Sequence, residues 1–182
     1  LHPKFVTRLL NDLFGIQSRA GCSCAGPYGH RLLNIGLELS EKYRCQIVRG
    51  YNSIKPGWVR VGFHFTFDDI DFNFICDAIE FVAEYGYCFL PMYSLDLHSG
   101  TWTHVEDSDE APHFSLAEAM SISTKPLHEK RGCDRKQEYA QYLEAAHRFA
   151  EKLGSDKPQY LTLPDTELEE LRFFEVVNLT GI

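Results

Sequence analysis

Positive charge is scarce in this chain: 18 lysines and arginines stand against 26 aspartates and glutamates, for a formal net charge of −8. The basic residues form no run with interleaved aromatics, which excludes the clustered footprint that nucleic acid requires. No apolar run approaches the roughly 20 residues needed to cross a bilayer, so no membrane span is expected. No secretory segment precedes the six cysteines, and a chain this long has no need of disulfide staples. Reduced thiols in an intracellular setting, whether cytosolic, mitochondrial or plastid, are the expectation. A C-x-x-C pair is missing, and His98 and His104 have no carboxylate or thiol at ligand spacing, so a metal is not expected. Internal repeats are absent as well. These exclusions leave a small anionic or zwitterionic ligand, met by local arginines within an acidic surface.

The residues present suffice for a core, with 44% apolar content over 182 residues. Phe5, Val6, Leu9, Leu10 and Leu13 recur at helical spacing and predict a helix over Pro3 to Phe14, closed by Gly15. A short helix or turn is expected over Leu37 to Cys45 with Ser40 as a cap, and a strand over Trp58 to Phe67. Asp68 should cap the next helix, whose stripe runs from Ile70 to Ala83 and which Gly86 should close. Leu97 to Trp102 has hairpin chemistry, and Asp134 to Leu153 reads as a helix stopped by Gly154. Short strands are expected at Leu161 to Leu163 and Phe173 to Val177, flanking a helical turn at Glu167 to Leu171. The pattern is α+β, a small sheet packed with helices. It divides into 1–105 with the chemistry, a polar and acidic linker over 106–133, and a helical extension over 134–182.

Two stretches carry that chemistry. Gly15 to Leu33 should be a strand running into a loop, with Cys22 and Cys24 between Gly21 and Gly26 and with Pro27 opening a helix. Arg19, His30 and a helix N-terminus would lower the pKa of the Cys24 thiol and make it a nucleophile, although a cysteine packed as a small hydrophobe fits the same pattern. A metal site from Cys22, Cys24, His30 and Cys45 and a Cys22–Cys24 redox pair both lack the right spacing. In the second stretch Val59, Val61, Phe63, Phe65 and Phe67 share one face of a strand and Arg60, Gly62, His64 and Thr66 the other. An arginine placed so looks toward water, a structural acid such as Asp68 or Asp69, or a ligand carboxylate that its guanidinium fork would suit. His64 reads as a solvated neighbour on the same face.

Arg19-Ala20-Gly21-Cys22-Ser23-Cys24-Ala25-Gly26-Pro27 resembles the signature of arginine, small residue, glycine, two variable residues, cysteine, alanine, variable residue and proline in the small domain of cysteine desulfurases and their class V aminotransferase relatives. Pro56-Gly57-Trp58-Val59-Arg60-Val61-Gly62-Phe63 resembles the strand of the same family whose arginine binds the substrate carboxylate. The two motifs stand in the family order, and the likeness spans roughly Leu1 to Gly86. It implies a fold like the C-terminal domain of fold-type I pyridoxal-phosphate transferases. Arg60 would then be the carboxylate ligand of an amino-acid substrate, and Cys24 the sulfur acceptor where that substrate is cysteine.

The resemblance further implies pyridoxal phosphate as cofactor of the parent enzyme, held by a lysine on a large N-terminal domain, and a homodimeric parent. None of the chain's lysines has the serine, variable residue, histidine, lysine context of the desulfurases, so no cofactor-binding residue is expected here. Because the first residue is Leu1, we expect a fragment that lacks the cofactor domain and is inactive alone. Cys22-Ser23 replaces the paired histidines often found before the family cysteine, and the chain runs far beyond Gly86; both departures bear on sulfur chemistry more than on the amino-acid class. Transamination, lyase and kynurenine-type chemistry share this scaffold. A non-catalytic interaction or regulatory module that retains the fold is the alternative, suggested by the absent cofactor lysine and the acidic Glu106 to Glu110 loop.

Overall fold

The computed structural model describes residues 1–22, 25–107, 115–117, 120, 132–154 and 158–180. Among these, six helices and two small sheets form an α+β fold. The first helix, α1 (Pro3–Phe14), starts where Pro3 takes the first helical position and His2 Nδ1 accepts the Lys4 N–H. It stops at Gly15, whose φ of 67° no side-chain-bearing residue adopts cheaply and whose N–H bonds to Asn11 O. Phe5, Leu9, Leu10 and Phe14 turn inward from it, at the spacing that one helical face requires.

Strand β1 (Arg19–Gly21), α2 (Gly26–Leu32), α3 (Leu37–Val48) and β2 (Trp58–Arg60) follow, with a 3-10 turn at Asn52–Ile54 before β2. The expected Trp58 to Phe67 strand is thus cut to its first three residues. A strand persists only while its backbone groups have a ladder partner, and β1 is three residues long, pairing Arg19 with Arg60 at its end. Past Arg60 the chain bends, with Phe67 N–H on His64 O and Thr66 Oγ1 at 2.8 Å from His64 Nδ1. Phe63, Phe65 and Phe67 consequently lie in solvent and not in a core. Ser40 also departs from expectation. It sits inside α3, which begins after Gly36 with no side-chain cap, and its hydroxyl meets His30 Nδ1 at 2.9 Å.

Helix α4 (Asp69–Tyr85) is capped by Asp68, whose Oδ1 accepts the Ile70 and Asp71 N–H groups at 3.0 Å each. Gly86 does not terminate the winding with a left-handed residue; the chain tightens into a 3-10 segment over Gly86–Met92, so that Phe89 and Leu90 are buried. A hairpin of β3 (Tyr93–Asp96) and β4 (Thr101–His104) follows as expected. After α5 (Gly132–Leu153) and α6 (Thr166–Leu171), β5 (Asn178–Thr180) pairs parallel with β3, giving a sheet of order β4-β3-β5 beside the separate antiparallel β1-β2 pair. The anticipated strands at 161–163 and 173–177 do not form. Leu161 N–H instead bonds singly to Val176 O, and the paired strand begins just after, at Asn178.

One core joins these pieces. Phe14 meets Phe74 and Phe81 edge-on at 6.1 and 5.5 Å, and Tyr139 of α5 stacks on Phe74 at 3.9 Å. Arg135 binds Asp71 and Asp68 at the start of α4, tying α5 to it by charge as well. Ala146, Ala150, Leu168, Leu171, Phe174 and Val176 enter the same buried cluster as Phe5 and Leu9. The polar stretch expected at 106–133 lies mostly outside the described residues.

Candidate functional site

Construction of the site begins with the β1-β2 pair. Its register sets Arg19 opposite Arg60, Ala20 opposite Val59 and Gly21 opposite Trp58. Val59 and, beyond the strand, Val61 turn toward α1 and α4, where they line an apolar groove with Val6, Leu10 and Val82. Alternation therefore puts Trp58 and Arg60 on the other face. Residues directly opposite in an antiparallel pair share a face, so Arg19 stands beside Arg60. Both arginines are exposed, and among the described residues neither side chain has a hydrogen-bond or ion-pair partner. Asp68 and Asp69 are the structural partners that the sequence offers Arg60. Asp68 is engaged by Arg135 and by the helix cap, and no bond joins Arg60 to Asp69.

Three close approaches seat this ladder. Gly57 lies against Gly21 so tightly that a Cβ added to it would fall 2.7 Å from Gly21 Cα. A Cβ on Gly29 would sit 3.1 Å from the Trp58 ring and 3.3 Å from Cys22 Cβ, so α2 lies directly on the tryptophan. Cys22 Sγ donates to Pro56 O at 2.7 Å, joining the end of β1 to the approach to β2.

Burial sets the chemistry of Cys22. Burial pushes its thiol pKa up, with Lys55 opposing, so it is a protonated structural thiol. Cys24 lies outside the described residues, as does Ser23. On either side of them, Ala25 N–H bonds to Cys22 O. His30, expected beside the Cys24 thiol, spends Nδ1 on Ser40. Cys45 is exposed on α3, and among the described residues Cys22, Cys45, Cys76 and Cys88 are free thiols while no group of three or more His, Cys, Asp or Glu is arranged to hold a metal.

The sequence reading missed the pairing of Arg19 with Arg60. In the sequence Arg19 stands as a cation near Cys24, on the strand face with Gln17 and at the head of the first motif, with Arg60 in the second; only the register joins the two. Comparison with family models, with curated proteins and with solved structures returned no match.

Proposed function

We propose that the chain is the C-terminal part of a pyridoxal-phosphate enzyme acting on an amino acid, with Arg60 binding the substrate carboxylate and Cys24 as the candidate sulfur acceptor. The observation that carries this reading is the Arg19–Arg60 pair, two arginines directly opposite each other on one ladder with no side-chain partner among the described residues, in a chain of net charge −8. Like charges directly opposite on a ladder are destabilising, and an anion between them reverses the sign. A guanidinium grips a planar carboxylate with two parallel N–H···O bonds, which fixes direction as well as charge. Arg19 is the natural second donor.

The described lysines are not placed to hold the cofactor as a Schiff base. Lys4 bonds to Ser99 O, Lys42 pairs with Glu38, Lys136 lines the groove between α4 and α5, and Lys152 sits in the last turn of α5; Lys55 lies beside Cys22 in a separate cleft. The Schiff-base lysine and its domain would then belong to the rest of the parent enzyme. Solvent-exposed Tyr28, Leu32 and Leu37 on α2 and α3, with Phe63 and Phe65, supply the apolar surface that such a domain would cover.

Arg60→Lys in the parent enzyme tests the reading: charge is kept but the fork is lost, and amino-acid turnover should fall by roughly two orders of magnitude as the substrate loses its orientation. Cys24→Ala should abolish sulfur transfer while leaving amino-acid binding intact. Turnover unchanged by Arg60→Lys would return the arginine face to solvent and favour a non-catalytic module.

A further inference from the structure

On the other side of Cys22 the first turn of α1, α2 and the connection from Asn52 to Gly57 enclose a cleft of about 740 Å³. Its lining among the described residues includes Lys4, Lys55 and His30 but no aspartate or glutamate, a local inversion in a chain of net charge −8. The remaining ionisable groups in the lining add no negative charge. His2 is buried, its Nε2–H donates to Ser53 O at 2.8 Å and its Nδ1 accepts from Lys4 N–H, so it is neutral; Cys22 is protonated and bonded to Pro56 O.

Lys4, His30 and Lys55 each keep a nitrogen for a ligand. Lys4 Nζ gives one N–H to Ser99 O at 3.0 Å and retains two. His30 meets Ser40 through Nδ1, and its Nε2 has no hydrogen bond among the described residues. Lys55 is exposed and makes no side-chain hydrogen bond or ion pair among the described residues. Burial first and then Lys55 lower the Lys4 pKa, while Asp96 opposes them more weakly. The Asp96 carboxylate is occupied by Ser99 Oγ at 2.7 Å and His98 N at 2.8 Å.

We propose that this cleft binds a phosphate dianion, free or as the end of a phosphate monoester, between Lys4 and Lys55 with His30 Nε2 as a further donor. Two ammonium groups that repel each other across a cleft are neutralised together by one dianion, which a single carboxylate does not achieve. Ammoniums act as point charges around a tetrahedral oxyanion, whereas the planar forks of Arg19 and Arg60 suit a carboxylate, so the two sites divide the two chemistries. The cleft is also larger than orthophosphate requires, which leaves room for the body of an ester. The site stands independently of the function proposed above.

Isothermal titration of the full chain with orthophosphate and with glycerol phosphate, at ionic strength matched with sodium chloride, tests it. Saturable binding of either is expected, with amide shifts at Gly21 and Gly57 in a companion NMR titration. Tighter binding of glycerol phosphate assigns an ester, and equal binding assigns the free ion. Lys55→Gln, an exposed change that spares the fold, should weaken binding about tenfold or more, as should Lys4→Gln. Arg60→Gln should leave it intact. Absence of saturation at millimolar phosphate, affinity unchanged in Lys55→Gln, or loss in Arg60→Gln in place of the lysine variants would overturn the site.

Discussion

The helical core and the β1-β2 ladder solve opposite problems. Around α1, α4 and α5 the aromatic rings close on one another, with Phe5 fully buried between Tyr93 at 5.3 Å and Trp102 at 4.8 Å, and Phe74 stacked on Tyr139. The ladder has three residue pairs, one face turned to α1 and the other carrying two arginines without a side-chain partner among the described residues, and its continuation leaves Phe65 90% exposed. Apolar burial makes the first region stable. The second is held in place by close backbone and thiol contacts at Gly57, Gly29 and Cys22, which fix position while contributing little burial. The candidate site rides on the stable core without being built from it.

The sharpest contrast comes from truncating one ring in each region. Phe5→Ala should cost about 3–5 kcal/mol in chemical denaturation, through lost transfer energy and the cavity left behind. Phe65→Ala should stay within about 0.5 kcal/mol. Equal losses would mean that the 61–67 segment belongs to the core.

His2 joins the two regions and should make the core sensitive to acid. Burial, outweighing its bond to Ser53, lowers its pKa from 6.5 to about 4. Because the unfolded chain binds the proton more readily, the contribution of the neutral histidine is complete above pH 6.5 and is lost as the pH falls from there to about 4. The loss amounts to about 3 kcal/mol. His2→Asn keeps a cap and removes the titration, so stability measured across this window should fall less steeply in the variant than in the wild type. Parallel curves would show that His2 binds its proton as readily in the folded chain as in the unfolded one.

Gly57→Ala probes how rigidly the ladder is placed. The added methyl meets Gly21 backbone at 2.7–2.8 Å, where no flexible side chain is available to yield. A cost of about 1–3 kcal/mol is expected, with amide shifts at Gly21 and Trp58. A neutral result would mean that β1 and β2 slide apart readily.

The same contrast explains what could be read in the sequence. The helices were legible because each buries a face: Phe5, Leu9 and Leu10 in α1, Phe74, Ala78, Phe81 and Val82 in α4, Ala146 and Ala150 in α5. Asp68 and the hairpin at 97–102 were legible through local chemistry, since a cap and a tight turn are decided within a few residues. The length of β2 was not. Val59 to Phe67 alternates well enough for a strand, but strands end where partners end, and the brevity of β1 is a tertiary fact. Ser40 misled for a related reason, as its hydroxyl had a distant partner in His30. At the site, the two arginines were visible singly and their adjacency was not, because cross-strand register leaves no trace in spacing along one chain.

That adjacency yields the smallest expected effect on stability and the most discriminating one. If Arg19 and Arg60 repel each other across the ladder without a counter-acid, Arg19→Gln should stabilise the free chain by roughly 0.2–0.5 kcal/mol, the scale of an exposed like-charge pair. The gain should shrink in high salt, which screens the repulsion in the wild type and has less to screen in the variant. A supporting surface residue would behave otherwise, since removing it either costs stability or changes nothing. Under the function proposed above, the same substitution should raise the KM of the parent enzyme for its amino acid, because the substrate carboxylate would lose one of two guanidinium partners. Stability and function thus move in opposite directions at one residue, as expected where like charges are held together for a ligand and not for the fold. Denaturation curves at low and high salt, set beside the KM of the variant, decide it. A destabilised chain with unchanged KM would make Arg19 a structural residue and leave Arg60 as the lone carboxylate donor.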